Sequence, residues 1–316
     1  MAKLALVVLT HADPAQLRRL LTALPEPDVF VHVDRKVPTD VMARFAEVAS
    51  ERVRLVERVD SRLGSWSLVR AELTGVAAAL HDTTATHIAV ISGADYPVAP
   101  YDTMLDALRD LGGNTYLENF SLPRRAWDTR WKRDGGLWRV EGRFLVADDQ
   151  VRFVGRFPLR LPGRRRLPAG IVLRGGAQWK IYCRRHAEAV LEVDRLRPDV
   201  VAHWRGTLVP DETFVPSVPA TPALAGGPVL DEQPVGPWFA RWGRGTAAQH
   251  PHWLTTAEDA ERIEVQQRSR AERGDPPILF ARKFSSSTSG AALAVLDRLG
   301  GAGRGEATAP DGNTLS

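Results

Sequence analysis

The chain has a single cysteine, Cys183, among 316 residues. An intrachain disulfide framework is therefore excluded, no Cys/His spacing resembles a zinc site, and a reducing compartment is the default setting. Little in the opening MAKLALVVLTHADP suits a signal peptide or a membrane span. It holds one Lys and a short apolar run that soon meets His11 and Asp13, so it reads as a first buried strand. No GxGxxG follows that strand, and neither GxxxxGK[ST] nor GxSxG occurs, which leaves dinucleotide, P-loop and serine-hydrolase chemistry without support. A thiol mechanism fares no better, because Cys183 sits in an apolar strand. Internal repeats and heptads are also missing. With 42 Lys plus Arg against 38 Asp plus Glu, the net charge of +4 is too small for a nucleic-acid footprint without clustering. One cluster exists, Arg164-Arg165-Arg166. It could touch an anionic partner or membrane surface, or stand as a solvated loop.

What is present is a chain that is 44% hydrophobic, enough for one large domain or two closely joined ones. LALVVLT reads as a buried strand. Asp13 and Pro14 then supply a cap and a first position for the helix DPAQLRRLLTAL. VFVHVD is a second strand, VMARFAEVASE a helix, RVRLVE a short strand, SLVRAELTGVAAALHD a helix with strong apolar periodicity, and HIAVISG another buried strand. This alternation predicts an α/β fold with a mainly parallel sheet and helices on both faces. In such sheets ligands sit beyond the carboxyl ends of the strands. Thr10-His11, Asp34-Arg35-Lys36 and Ser92 to Asp95 all fall there.

From residue 113 the pattern loses its period. Trp127, Trp131 and Trp138 stand among many arginines, which predicts loops and short antiparallel strands. Such rings either pack on sugar C–H faces or anchor a long loop on the core. GIVLRGG reads as a strand, AQWKIYCRRHAEAVLEV as a strand leading into a helix, residues 216–237 as a crossing loop, and FARKF as a strand before the helical AALAVLDRL. The expected organisation is a βαβ half over 1–112, an irregular half of the same compact domain over 113–299, and a disordered tail over 300–316.

Five stretches taken together resemble a known family: VVLTHADPAQLRRLL with VFVHVDRK; LGSWSLVRAEL; ISGADYP; RGGAQWKIYCRRHAEAVL with LVPDETF; and FARKF. In this order they are similar to the glycosyltransferases that include the core-2/I-branching β-1,6-N-acetylglucosaminyltransferases and the peptide O-xylosyltransferases. RRLPAGIVLRGGAQW and the Arg-Lys of FARKF look closer to the xylosyltransferases, whereas LGSWS looks closer to the branching enzymes. The resemblance implies a modified glycosyltransferase A-type (Rossmann-like) fold with an irregular acceptor-side region. It also implies an inverting enzyme that moves N-acetylglucosamine or xylose from a UDP-sugar without a divalent metal or other cofactor. The residues agree on one point. Metal-dependent enzymes of that fold carry an Asp-x-Asp pair, and this sequence has none.

The resemblance also assigns roles. Glu212 of LVPDETF is the general base, with Asp211 orienting the loop or capping the next helix, and with apolar walls from Val209 and Phe214 raising the Glu212 pKa. Arg282 and Lys283 take the place of a metal on the diphosphate. His250, Arg241 and Arg244 compete for a second diphosphate contact. Asp34 contacts the uridine, Val8, Thr10 and His11 border its pocket, and Gly64 and Ser65 let backbone approach it, with Trp66 read as core. Asp95 either lies beside the donor sugar or closes a turn. On the acceptor side stand Glu118, Arg130 and Trp238, with Trp242 a lesser candidate. The acceptor itself is left open among glycan, lipid-linked glycan, peptide and small molecule. The eukaryotic relatives have an N-terminal membrane helix and stem that this sequence does not show. The expectation is therefore a cytoplasmic enzyme with at most peripheral association at the inner membrane face and no nucleic-acid partner. A non-catalytic carbohydrate- or nucleotide-binding protein on the same scaffold is the alternative, and a sugar-nucleotide hydrolase a more distant one.

Overall fold

The structure is a computed structural model and describes residues 1–129, 132–243 and 250–302. Strand β1 (Leu4–Thr10) is buried at every position. Helix α1 (Pro14–Ala23) begins as the sequence requires, with the Gln16 N–H donating to Asp13 Oδ1 at 3.0 Å and Pro14 in its first turn. Strand β2 (Asp28–Val33), helix α2 (Thr39–Ala46), strand β3 (Val53–Leu55), helix α3 (Trp66–Asp82) and strand β4 (His87–Ser92) follow. After β5 (Asp95–Pro97) and α4 (Tyr101–Asp110) come β6 (Asn119–Ser121) and the short helix α5 (Leu137–Glu141). Six short strands, β7 to β12, then occupy the stretch from Gly142 to Arg164. The chain continues through β13 (Arg174–Gly176), β14 (Lys180–Cys183), α6 (Arg184–Leu196), α7 (Pro198–Arg205), α8 (Phe214–Ala220), β15 (Trp238–Ala240), α9 (Ala257–Arg273), β16 (Phe280–Arg282) and α10 (Gly290–Ala302).

The central sheet has the order β14-β4-β1-β2-β3, parallel except for β14. Alternation along β1 splits the core in two. Leu4, Leu6 and Val8 pack with Leu17, Phe45 and Met104 of α1, α2 and α4. Ala5, Val7 and Leu9 pack with Val69, Val190 and Phe214 of α3, α6 and α8. Each large aliphatic or aromatic side chain so buried contributes roughly 1.5–3 kcal/mol. α3 lies so close to the sheet that a Cβ on Gly75 would come within 2.3 Å of Val7 Cγ1. A second sheet, β15-β16-β5, stands beside the first.

Three local expectations change. Residues 216–237 were expected to form a crossing loop, yet α8 covers Phe214–Ala220 with Pro216 and Pro219 inside it. Pro216 falls in the first turn, where its missing N–H has no intrahelical partner to lose, and burial of all seven residues outweighs the bond forfeited at Pro219. In GIVLRGG only Arg174–Gly176 pairs as a strand, with β6. Residues 300–302, expected in the tail, belong to α10; residues 303–316 lie outside the described residues. Among the described residues no helix is long and apolar enough to cross a membrane.

Candidate active site

The chain leaves β1 toward β2 on one side and reaches β4 on the other, so the loops after β1 and β4 diverge at a switch point. Gly93 marks it: a Cβ there would meet Thr10 Oγ1 at 2.5 Å. Thr10 is buried and its hydroxyl donates to the Ala12 carbonyl at 3.2 Å, while His11 is exposed beside it. Val8 is wholly within the core, so only its backbone could face a ligand. Asp34 follows β2 and is 5% exposed. Burial pushes its carboxyl pKa up, but donors from Ser61 and Lys36 outweigh that and hold it below the ordinary carboxylate range. These include the Ser61 hydroxyl and the Lys36 backbone N–H, the latter at 2.8 Å.

The second sheet brings together three of the expected residues. In register across β16 and β5, Arg282 lies opposite Asp95, with Nε 3.5 Å from Oδ1. Asp95 has no solvent exposure. It accepts the Ser92 backbone N–H at 2.9 Å, the Ser92 hydroxyl at 2.7 Å and the Trp238 indole N–H at 3.1 Å. Burial raises its pKa, and Arg282 opposes the rise. Thus Asp95 both closes the turn and holds Arg282, and Trp238, expected on the acceptor side, belongs to this cluster. Arg282 Cζ lies 4.1 Å from the centroid of Trp179, and Lys283 Nζ 4.4 Å from that of Trp253. Because β14 runs antiparallel to β4, Trp179 and Lys180 enter at the same end of the sheet as Thr10 and Ser92.

The LVPDETF turn packs against the start of α3. The Val209 N–H donates to the Gly64 carbonyl at 3.0 Å, and Gly64 takes a φ of +75° that favours glycine. Val209 itself has a φ of 56°, a costly conformation for a β-branched residue, at the entry to a 3-10 turn over Pro210–Glu212. Ser65 is buried and its hydroxyl accepts the Val151 N–H at 2.9 Å, so its side chain fastens the loop. Trp66 is core, edge-on to Phe214 at 5.0 Å. Asp211 is 1% exposed, its Oδ1 has no hydrogen-bond partner, and no side chain caps α8. It therefore acts as a buried neighbour of Glu212 and does not cap the helix. Glu212 keeps some solvent contact. Its pKa is pushed well up, first by burial and then by Asp211, against the opposing charges of Arg139 and Lys180. The expected direction holds, and the charge of Asp211 adds to it.

Of the residues expected on the acceptor side, Glu118 is half-buried, with its pKa raised by burial, and it repels Glu212. Arg130 and Trp131 lie outside the described residues, as does Arg244. Arg241 pairs with Asp259 at 2.6 Å, and His250 is exposed beside the Trp242–Pro251 bridge. Trp127 and Trp138 anchor the loop. Trp127 packs edge-on to Phe120 at 5.2 Å, and Trp138 joins Phe144 in a small apolar cluster.

The family description "Core-2/I-Branching enzyme" matches residues 4–253. The chain belongs to the Core-2/I-Branching enzyme family. Its similar proteins include xylosyltransferase 2 of Rattus norvegicus, 25% identical over 94% of this chain and 33% of the relative, and xylosyltransferase 1 of Homo sapiens, 26% identical over 93% and 30%. The chain thus spans about a third of the length of these relatives. HddC of Yersinia pseudotuberculosis, a solved structure, aligns at 10% identity over 60% of this chain and 79% of its own with a TM-score of 0.30, too loose to carry an argument.

Three features of this family member escaped the sequence. Arg139 lies between Trp127 and Trp138, with Cζ 4.6 and 5.5 Å from the two rings, and its charge acts on Glu212. Behind the turn, Lys180 Nζ lies 3.0 Å from Glu72 Oε2, with both side chains out of solvent, and the Tyr182 hydroxyl donates to Glu72 Oε1. Charges within the apolar patterns KIYC and LVRAEL were the available signal. The rings under Arg282 and Lys283 had none.

Proposed function

We propose that this protein is an inverting glycosyltransferase that moves xylose or N-acetylglucosamine from a UDP-sugar to an acceptor hydroxyl without a divalent metal. The observation that carries the reading is the pairing of a largely buried carboxylate of raised pKa, Glu212, with an Arg-Lys pair held at the same end of the sheet. Glu212 takes the acceptor's hydroxyl proton as the oxygen attacks the anomeric carbon; the bond to the diphosphate oxygen breaks on the opposite face, and UDP departs with the electron pair. A base of raised pKa suits that task, because its proton affinity approaches that of the working solution. Arg282 and Lys283 meet the charge that builds on the diphosphate. Asp95 and Trp179 fix the orientation of Arg282, so little reorganisation is needed when that charge appears. Asp34, Thr10 and the Gly64 loop border the uridine, and Glu118 with Arg139 lines the acceptor approach.

The xylosyltransferase relatives put UDP-xylose first among donors to try. The test is UDP release from a panel of UDP-sugars with EDTA present, with and without candidate acceptors. Turnover in EDTA is expected; activity that required added Mn²⁺ would overturn the metal-free part. UDP binding without turnover on any donor would favour a binding protein on the same scaffold.

A further inference from the structure

The arm from Gly142 to Arg164 contains more than the arginine cluster at its end. It is two consecutive hairpins, β8 (Val146–Ala147) with β9 (Gln150–Val151) and β10 (Phe153–Val154) with β11 (Phe157–Pro158), enclosed by the antiparallel pair of β7 (Gly142–Phe144) with β12 (Arg160–Arg164). Phe157, Leu159 and Leu161 recur every second residue and therefore share a face. They are 61%, 37% and 41% exposed. Across the ladder Val154 stands opposite Phe157 and is 64% exposed, and Leu145, whose N–H donates to the Leu159 carbonyl at 2.9 Å, is 42% exposed. A contiguous apolar face of this kind is uncommon on a soluble surface without a function. Arg143, Arg156, Arg160, Arg164 and Arg166 surround it and are exposed. Of these, Arg164 alone has an acidic partner among the described residues, Glu141 at 3.4 Å.

We propose that this arm docks the protein on an anionic lipid bilayer, with Phe157 and its aliphatic neighbours entering the headgroup boundary and the arginines meeting lipid phosphates. Apolar tips flanked by basic side chains match that interface from both sides. A second copy of the same face is disfavoured, since a two-fold contact would set arginine against arginine. A nucleic acid would use the charge and leave the leucines without a role. The base of the arm is fastened where the tip is free. Phe144 and Val151 pack on Leu208, the Ser67 N–H donates to the Asp149 carbonyl at 3.0 Å, and Arg62 Cζ lies 5.0 Å from the Phe153 ring. Docking would therefore fix the Glu212 turn at a set distance from the membrane. The proposal stands apart from the donor chemistry above.

The test is co-sedimentation of the whole chain with vesicles of phosphatidylcholine alone and with phosphatidylglycerol added, at low and high salt. Binding is expected to the anionic vesicles only, to weaken with salt, and to fall about tenfold or more both in Val154→Asp/Phe157→Asp and in Arg156→Glu/Arg160→Glu. Melting temperature and UDP binding of these variants should match the parent, showing that they fold. No binding to anionic vesicles, equal binding to neutral ones, or unchanged binding by either folded variant would overturn the proposal. So would a solution dimer that Phe157→Asp dissociates, since the face would then be an interface between copies.

Discussion

Arg282 Nε stands 3.5 Å from Oδ1 of Asp95, a carboxylate with no solvent exposure, while the same guanidinium lies on Trp179. The pair is thus both a structural tie between β16 and β5 and the means of aiming a cation. Asp95→Asn keeps the shape but removes the countercharge and sets an amide NH₂ among the Ser92 and Trp238 donors. Breaking one side of such a pair costs about 3 kcal/mol. The expected result is a melting temperature lower by roughly 5–10 °C, with weaker UDP binding by calorimetry. An unchanged melting temperature would show that the pair does not hold the two strands.

Lys283 is the less constrained partner, since Trp253 is its described neighbour and burial with the nearby Arg282 lowers its pKa. It stays protonated at neutral pH because a compact ammonium loses its charge only when far more enclosed. Lys283→Ala should raise the Kd for UDP about ten- to a hundredfold, the worth of one charge-assisted contact. The uridine alone, lacking the diphosphate, should bind parent and variant alike. Equal losses for both ligands would place Lys283 on the nucleoside.

Glu212→Gln should lower kcat by about 10²–10⁴ with the Kd for UDP unchanged. Stability moves the other way. The folded carboxyl has a pKa above its ordinary 4.5, so the native state binds a proton that the unfolded chain has already released. Its stabilising effect is full below that ordinary value and is lost as pH rises through the raised folded value. Above it, an ionised Glu212 sits beside Asp211 at a net cost. The neutral glutamine escapes that cost, so the variant should melt higher than the parent at alkaline pH, with the difference shrinking toward pH 4. A variant less stable than the parent throughout would mean that the ionised form is well solvated and the pKa ordinary.

Parts of this are legible in the sequence. The βαβ alternation of the first hundred residues rests on local signals, namely unbroken apolar strands, the Asp13 cap and periodic helices, and those elements form as read. The roles of Glu212 and Lys283 could be assigned only through family resemblance, since a Pro-Asp-Glu turn and an Arg-Lys pair are common on any surface. The side-chain network behind Glu212 was not legible. Glu72 and Lys180 are 108 residues apart in the chain, and only packing of α3 on β14 reveals that they meet. The α8 helix was missed for the opposite reason, because Pro216 and Pro219 are local signals against a helix that tertiary burial overrides.

The Lys180–Glu72 pair supplies the sharpest test of how the base is tuned. Lys180 lowers the pKa of both Asp211 and Glu212, whereas Glu72 raises that of Asp211. Removing Lys180 alone would leave Glu72 buried and uncompensated, and Lys180→Met is expected to cost about 3–5 kcal/mol. The double variant Glu72→Gln/Lys180→Met removes both charges together and should recover most of that loss, since a buried pair replaced as a unit is often near neutral. In the folded double variant Glu212 lacks one of the two cations that oppose its burial, so its pKa must rise further. The acidic limb of the kcat/KM profile, which reports the free enzyme's base, should then shift to higher pH, while the profile for UDP binding stays in place. A purely structural role for the pair would leave that limb where it is. A shift to lower pH would mean that Lys180 does not act on Glu212 through its charge.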